Sequence, residues 1–418
     1  MGKAGGLAVQ HLGRTLDART AYHQYLQSDH DYRVWVDILT IEQKYVGSLD
    51  LLDGQMNYTN GNDGPVRTGS LILSDPEGAL NFGTDYLRDP KGVLWINRLV
   101  QVWHEVTVPD YGIFTTSCIV GLPTSVSRSG AEVSLEMGDK SLLADHGVRP
   151  RTYKKGQRVD KVLRSILEDC TGEKFMRIPE TKKTLSRAYT VGMGEDDLTP
   201  WQAFKRIAEQ EKGWRAYFDG LGWAVAEPKS EAKDPVEIYS LLALPSASVA
   251  FTEFSNYVRV TSHRTPVNKE STKHKDESRV TTIYDSIVAL PKDNELSEQS
   301  LKRNDVSRTL PLVIVDDDLK SLRDTVDRAT KELMTDTGLD ANKTYEIIPL
   351  FHLEPFDYVK LPEGVGNVQL SAGSSIPYGT GGNQTIGEHK WVSKPPKVKQ
   401  IKSKTTKKRK KKKGGKKN

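Results

Sequence analysis

Cysteine is nearly absent from this chain. Only Cys118 and Cys170 occur in 418 residues, and they form no CxxC spacing. A disulfide framework or thiolate metal site is therefore not expected, and assembly in a reducing compartment is the simpler expectation. Long apolar runs are missing too; none approaches the ~18 residues that cross a bilayer. The N-terminal "MGKAGGLAVQHLGRTLDART" lacks the apolar stretch of a signal peptide. It also lacks Ser or Thr at position 6, which a myristoylation signal would carry. A soluble protein without an export signal is expected. Catalytic signatures are equally scarce. The nine histidines never fall at HxH or HExxH spacing, and there is no GxSxG, Walker A or complete GxGxxG. "GMGEDD", "GLGWAV" and "GVGNVQ" supply two glycines and stop, as turns do. No nucleophile–base pair stands out, so neither an enzyme nor a cofactor or metal site is expected.

Charge is plentiful but unevenly placed. The 60 Lys plus Arg and 55 Asp plus Glu give +5. Residues 394–418 hold 14 cations and no acid, so the first 393 residues hold 46 cations and 55 acids, a net of −9. The basic character belongs to the tail, and such asymmetry marks an interaction tail more than a basic fold. Lys407, Lys408, Arg409, Lys410, Lys411, Lys412 and Lys413 are consecutive, and Lys416 and Lys417 follow. Mutual repulsion and the lack of apolar side chains predict disorder over 394–418. The tail is then either a solvated extension or a salt-sensitive contact with a polyanion such as DNA or the cell envelope, without aromatic stacking.

Periodicity divides the rest. Residues 1–30 read as an arm or short helix in need of a partner surface. In "YRVWVDILTI", Val34, Val36 and Ile38 alternate with Arg33, Trp35 and Asp37, the period of a half-buried strand. Trp35, opposite the apolar face, is a candidate subunit contact. "GQMNYTNG", "RTGSLILSDPEG", "VLWINRLVQVWHEV", "IFTTSCIVGL" and "AEVSLEMGD" continue the strand texture, separated by turns such as "NGNDGP". Residues 31–150 are therefore expected to form a small antiparallel β-barrel or sandwich. Residues 151–248 change texture. Val159, Val162, Leu163, Ile166, Leu167 and Cys170 recur at helical spacing, with Gly172 as a stop. A second helix opens with Thr199 as N-cap, Pro200 at the first position and Gln202 closing a capping box. A hairpin turning at Asp219–Gly222 follows, with Trp214, Ala216 and Phe218 on one face.

Strands return over 249–372, with a helix at 316–338. Asp316–Asp318 before it are read as cap and dipole partners in preference to cation ligands, and Glu195, Asp196 and Asp197 before Thr199 likewise. "TPVNKESTKHKDES" is expected to be a mobile loop. Residues 373–393 form a C-terminal extension. The fold class is thus β-rich α+β: two small antiparallel β-barrel domains flanking a helix–hairpin α/β module, with a disordered basic tail.

This order resembles the tail hub (baseplate hub) proteins of long-tailed bacteriophages, the minor tail proteins of siphophages. The resemblance rests on Thr199, Pro200, Phe204, Ile207, Ala208, Gly213, Trp214, Tyr217, Phe218, Asp219 and Gly222 in the helix–hairpin module. It rests equally on His352, Leu353, Pro355, Asp357 and Val359 in "HLEPFDYV", where Phe356 stands in place of the family's usual Gly. It covers roughly residues 30–370. The resemblance implies a homotrimeric ring of two barrels per chain, matching a six-fold tail tube to a three-fold tip around a DNA and tape-measure channel. Implied partners are a distal tail or tail tube protein, the tape-measure protein and other tail-tip or fibre proteins. The implied location is the virion tail tip, assembled in the host bacterial cytoplasm. Two alternatives stay open: a sequence-nonspecific nucleic-acid-binding protein and a wall-degrading tail enzyme.

Overall fold

A computed structural model describes residues 9–11, 13–58, 66–76, 78, 80, 94, 98–194, 197–209, 214–228, 235–249, 255–264, 280–316, 319, 321–336, 340–355, 357–362, 366–370, 374–379, 382–391 and 399–409. The chain divides into two compact units. The first combines residues 1–246 with 344–388, and the second combines 247–343 with 389–418.

In the first unit, helix α1 (Leu16–Leu26) precedes six strands: β1 (Arg33–Thr40), β2 (Tyr45–Tyr58), β3 (Arg67–Ser74), β4 (Arg98–Val108), β5 (Gly112–Ser129) and β6 (Glu132–Asp139). Their pairing order is β1-β4-β5-β6-β3-β2, and β1 also pairs with β2, so the ladder closes on itself. All five strand segments expected after β1 are present as β2 to β6. The alternation in β1 sets the sidedness. Val36 and Ile38 are fully buried opposite Val102 and Val100 of β4, while Trp35 faces the other way against Trp103. Closure is tight at one point. A Cβ on Gly121 would lie 1.9 Å from the Gly138 carbonyl oxygen across the β5–β6 pair, so only glycine fits there.

The N-terminal arm finds its partner surface within its own chain. Thr15 caps α1, its hydroxyl accepting from the Ala18 amide. Ala18, Tyr22 and Leu26 then enter the core made by the six strands. Tyr22 stacks on Phe114 with centroids 4.7 Å apart.

The helix–hairpin module follows as read. Helix α2 (Val159–Thr171) ends at Gly172, whose φ of 72° is the left-handed cap that glycine adopts readily. Helix α3 (Pro200–Glu209) starts with a reciprocal box: the Thr199 hydroxyl accepts from the Gln202 amide at 3.2 Å, and the Thr199 amide donates to Gln202 Oε1 at 3.3 Å. Asp197 is not part of that cap. Its carboxylate accepts the Gly194 amide at 2.9 Å, closing its own turn. Glu195, Asp196 and Gly213 lie outside the described residues. Strands Trp214–Phe218 and Ala224–Pro228 form the hairpin, and the latter also pairs in parallel with Met176–Arg177. Trp214, Ala216 and Phe218 pack into one core with α2 and α3, as their alternation requires.

Residues 344–388 depart from expectation. Residues 344–372 are expected in the domain over 249–372 and 373–388 in the C-terminal extension, but both pack with the first unit. Tyr345, Ile347, Leu350, Phe351, Leu353, Val359, Leu361, Val368, Ile376 and Tyr378 share the core of the six-strand ladder. Strand Ser375–Pro377 adds to β2, and Tyr358–Leu361 pairs with Val236–Glu237 and Gly366–Gln369. In "HLEPFD", residues 352–355 and 357 are loop, not strand, and Phe356 lies outside the described residues.

The second unit is a four-stranded sheet, in the order Pro311–Val315, Tyr257–Arg264, Val280–Ala289, Lys399–Arg409. Helix α4 (Leu322–Asp336) packs Ala329 and Leu333 against Val258, Val260 and Val288 on one face. The helix expected over 316–338 starts later because Ser321 caps it, accepting the Asp324 amide at 3.2 Å. Asp316 instead continues the sheet, its amide donating to the Thr261 carbonyl at 2.9 Å. Asp317, Asp318, Gly338 and the expected loop at 265–278 lie outside the described residues.

The tail is also corrected. Disorder was expected over 394–418, yet residues 399–409 form an eleven-residue strand along Val280–Ala289. An edge strand offers a row of unpaired backbone groups. Ile401, Thr405 and Thr406 supply β-branched residues for the added strand, and Lys404 sits opposite Asp285, whose carboxyl it helps hold low. These gains offset the repulsion among its cations. Among the described residues, no helix is long and apolar enough to cross a membrane.

Candidate functional site

The residues that carry the two motifs are far apart in sequence, and the fold brings them together. The centre is Arg67 on β3, 1% exposed. One guanidinium nitrogen donates to the Cys118 carbonyl on β5, and the other pairs with Glu354 of "HLEPFD". The second oxygen of Glu354 accepts the Gly220 amide from the hairpin turn at 3.4 Å. That turn is built on Asp219. Its Oδ1 accepts the amides of Leu221 at 3.0 Å and Trp223 at 2.9 Å, while Gly222 takes a φ of 74° that favours glycine. Asp219 and Gly222 of the motif are thus conformational requirements of a turn whose tip touches the ladder. Ser117 of β5 donates to the Gly220 carbonyl at 2.5 Å, and buried Lys140 donates to that of Gly222 at 3.0 Å.

Arg215 fixes the hairpin to the other motif. It pairs with Glu227 across the hairpin at 2.8 Å and donates to the Pro355 carbonyl at 3.0 Å, and Asp357 lies 3.6 Å away. Asp357 in turn accepts the Glu354 amide at 3.0 Å, bracing the loop from within. Arg177 completes the set, 3.4 Å from Asp219 and 3.7 Å from Glu227. Three guanidiniums therefore face four carboxylates: Asp219, Glu227, Glu354 and Asp357. Burial raises the pKa of Asp219 and Asp357, and pushes Glu354 up to about 7 against the pull of Arg67. Burial therefore favours the protonated form of the excess carboxylate. All four side chains are closed off from solvent, at 5–11% exposure or less. Their chemistry is that of a clamp between chain segments. No group of three or more His, Cys, Asp or Glu able to hold a metal occurs among the described residues.

Beside the clamp lies a set of buried histidines that spacing gave no reason to group. His23 on α1 and His352 of the motif meet at 3.2 Å, and His23 Nε2 donates to the Glu237 carbonyl at 2.8 Å. The Gln27 side-chain nitrogen also lies 2.7 Å from His23 Nε2, so His23 is held between three chain segments. His11 lies 3.1 Å from the Thr116 hydroxyl, and His104 stacks on Phe351 at 4.1 Å. Burial lowers all four: His11 to about 4, His104 to about 3, and His23 and His352 in the same direction. The released arm protonates near pH 6.5 while the docked arm does not. Docking is therefore at full strength above pH 6.5 and weakens as pH falls towards 4. Amide-exchange protection of α1, corrected for intrinsic rates, is expected to drop by about ten-fold per pH unit for each histidine freed. Equal protection at pH 7 and pH 5 would contradict this.

On the outer side of the ladder, Trp35 stacks on Trp103 with centroids 6.1 Å apart, and Arg33 sits over the Trp35 ring at 5.2 Å. Trp103 Nε1 donates to Asp37 at 2.9 Å, and Ser48 donates to the other oxygen at 2.5 Å. Trp35 is half-buried by contacts within its own chain. Of the basic residues singled out in the tail, Lys407, Lys408 and Arg409 lie in the strand, and Lys410–Lys413, Lys416 and Lys417 lie outside the described residues.

No protein-family model and no curated protein matches the chain. Solved structures do. The 43 kDa tail protein of prophage MuSo2 from Shewanella oneidensis superimposes with a TM-score of 0.52 at 11% identity, over 85% of this chain and 98% of that one. A tail protein from Neisseria meningitidis MC58 gives 0.51 at 14% identity, over 86% and 97%. Both matches run over nearly the full length of the solved tail protein, so the chain has the fold of phage tail proteins, the kind to which its motifs pointed.

Proposed function

We propose that this chain is a structural component of a phage tail tip. In this reading it forms a homotrimeric hub ring that joins a six-fold tail tube to a three-fold tip and encloses the channel for DNA and the tape-measure protein. The observation that carries the reading is the agreement in fold along almost the whole of a prophage tail protein. The convergence of the hub-like motifs on one buried clamp supports it, because a ring component needs its chain segments held rigidly while neighbours bind. Its partners are a second and third copy, a distal tail or tail tube protein, the tape-measure protein and other tail-tip or fibre proteins. Its place is the virion, after assembly in the host cytoplasm, and its role is non-enzymatic. The Trp35–Trp103 face is the proposed subunit contact, since stacked aromatics anchor interfaces well. The net −9 of residues 1–393 suits a wall along which phosphate must slide.

Native mass spectrometry tests the reading. Three chains of 46.7 kDa give about 140 kDa, alone or on addition of tail components. Trp35→Ala is expected to shift the balance towards monomer with the fold retained. A stable dimer under all conditions would sink the hub reading.

A further inference from the structure

Strand Lys399–Arg409 is the outermost strand of its sheet, bonded on one side to Val280–Ala289. Residues paired across a ladder share a face. Lys402 and Arg259 both pair with Ile287, and Lys404 pairs with Asp285, so these cations lie on the face away from α4. Arg259 already engages both oxygens of Asp285, at 3.0 and 3.1 Å. Lys402 and Lys404 are exposed. An extended strand spaces same-face residues about 6.8 Å apart, so the charge is arrayed along a line. Ten of the fifteen residues 399–413 are cations and none is acidic.

A line of charge matches a linear polyanion. The strand holds a single large apolar residue, Ile401, and no aromatic. It lacks the apolar face by which surface helices enter a membrane and the stacking platform by which single strands are held. The acidic balance elsewhere, −9 over residues 1–393, discourages phosphate from other surfaces. We infer that strand 399–409 forms a ledge for the phosphate backbone of duplex DNA, bound without regard to sequence. The ledge does not depend on ring formation.

Fluorescence anisotropy of the full chain with a short labelled duplex, between about 50 and 200 mM salt, tests it. The logarithm of affinity should fall linearly with the logarithm of salt. Each phosphate contact contributes about 0.9 to the slope, so Lys402→Gln/Lys404→Gln should reduce it by about 1.8. Lys161→Gln, at an exposed position on α2, should change nothing. A chain ending after Arg409 keeps the strand and should bind more weakly but measurably. The ledge is overturned by no DNA binding at low salt, by a slope unchanged in the double variant, or by complete loss on ending at Arg409. Retention on phosphatidylglycerol vesicles without DNA binding overturns it too. DNA binding with the reduced slope sustains it whether or not vesicles also bind.

Discussion

Arg67→Met is expected to destabilise the first unit by about 3–5 kcal/mol, the usual cost of removing one partner from a buried ion pair. The variant would lose the Cys118 and Glu354 contacts together and leave Glu354 beside Asp219 and Asp357 with one cation fewer. The sign of its pH dependence follows. Glu354 already has a pKa raised to about 7 in the fold, against an ordinary value of 4.5. A raised carboxyl pKa means that stability is present at low pH and is lost as pH rises towards 7. Without Arg67 that pKa rises further, so the variant should suffer less at pH 6 than at pH 8. Urea unfolding at both values measures it. Arg67→Met/Glu354→Met should recover most of the loss, since a packed apolar pair can replace a buried salt bridge at little cost. A single-variant loss below about 1 kcal/mol, or no recovery in the double variant, would show that the clamp does not hold the unit.

Trp201→Ala should cost a similar amount, about 3–5 kcal/mol. Trp201 is fully buried, stacked on Phe204 at 5.5 Å and against Phe218 at 5.3 Å, and its amide donates to the Ala144 carbonyl at 2.9 Å. Truncation empties the volume where α2, α3 and the hairpin meet. Trp201→Phe retains most of the contact and should lose far less. Amide exchange should place the damage in α2, α3 and the hairpin, with the six-strand ladder protected as before. A melting temperature within a degree or so of the parent chain would refute the assignment.

What could be read from sequence was whatever a local period encodes. The alternation around Val36 set the sidedness of β1, the stripe from Val159 to Leu167 set α2, and the Thr199–Gln202 box appears with both of its hydrogen bonds. Membership in a sheet has no period. Tyr358–Leu361 alternates equally well in either unit, so nothing local assigned residues 344–388 to the first. The clamp was illegible for a related reason. Arg67 and Glu354 stand 287 positions apart, and neither has a neighbour that marks it as buried. Asp219 and Asp357 were visible only as members of motifs; what they hold together was not. The lysine tail misled through composition, because self-repulsion argues for disorder while the backbone of an open sheet edge argues for a strand, and only the fold reveals that edge.

The division of the chain has a consequence in time. The first unit is completed by residues 344–388, and the second interrupts it and is itself completed by the C-terminal strand. A ribosome adds about 5–20 residues per second. Once Ser246 has been made, the 142 residues up to Glu388 take on the order of ten seconds more. For most of that interval Arg67 and Arg215 are in place, while Glu354 and Asp357 are still unmade. The nascent protein must shelter a core without its last strands and an Arg67 without its carboxylate partner, which makes it a natural client for chaperones during synthesis and leaves C-terminally truncated products poorly able to persist.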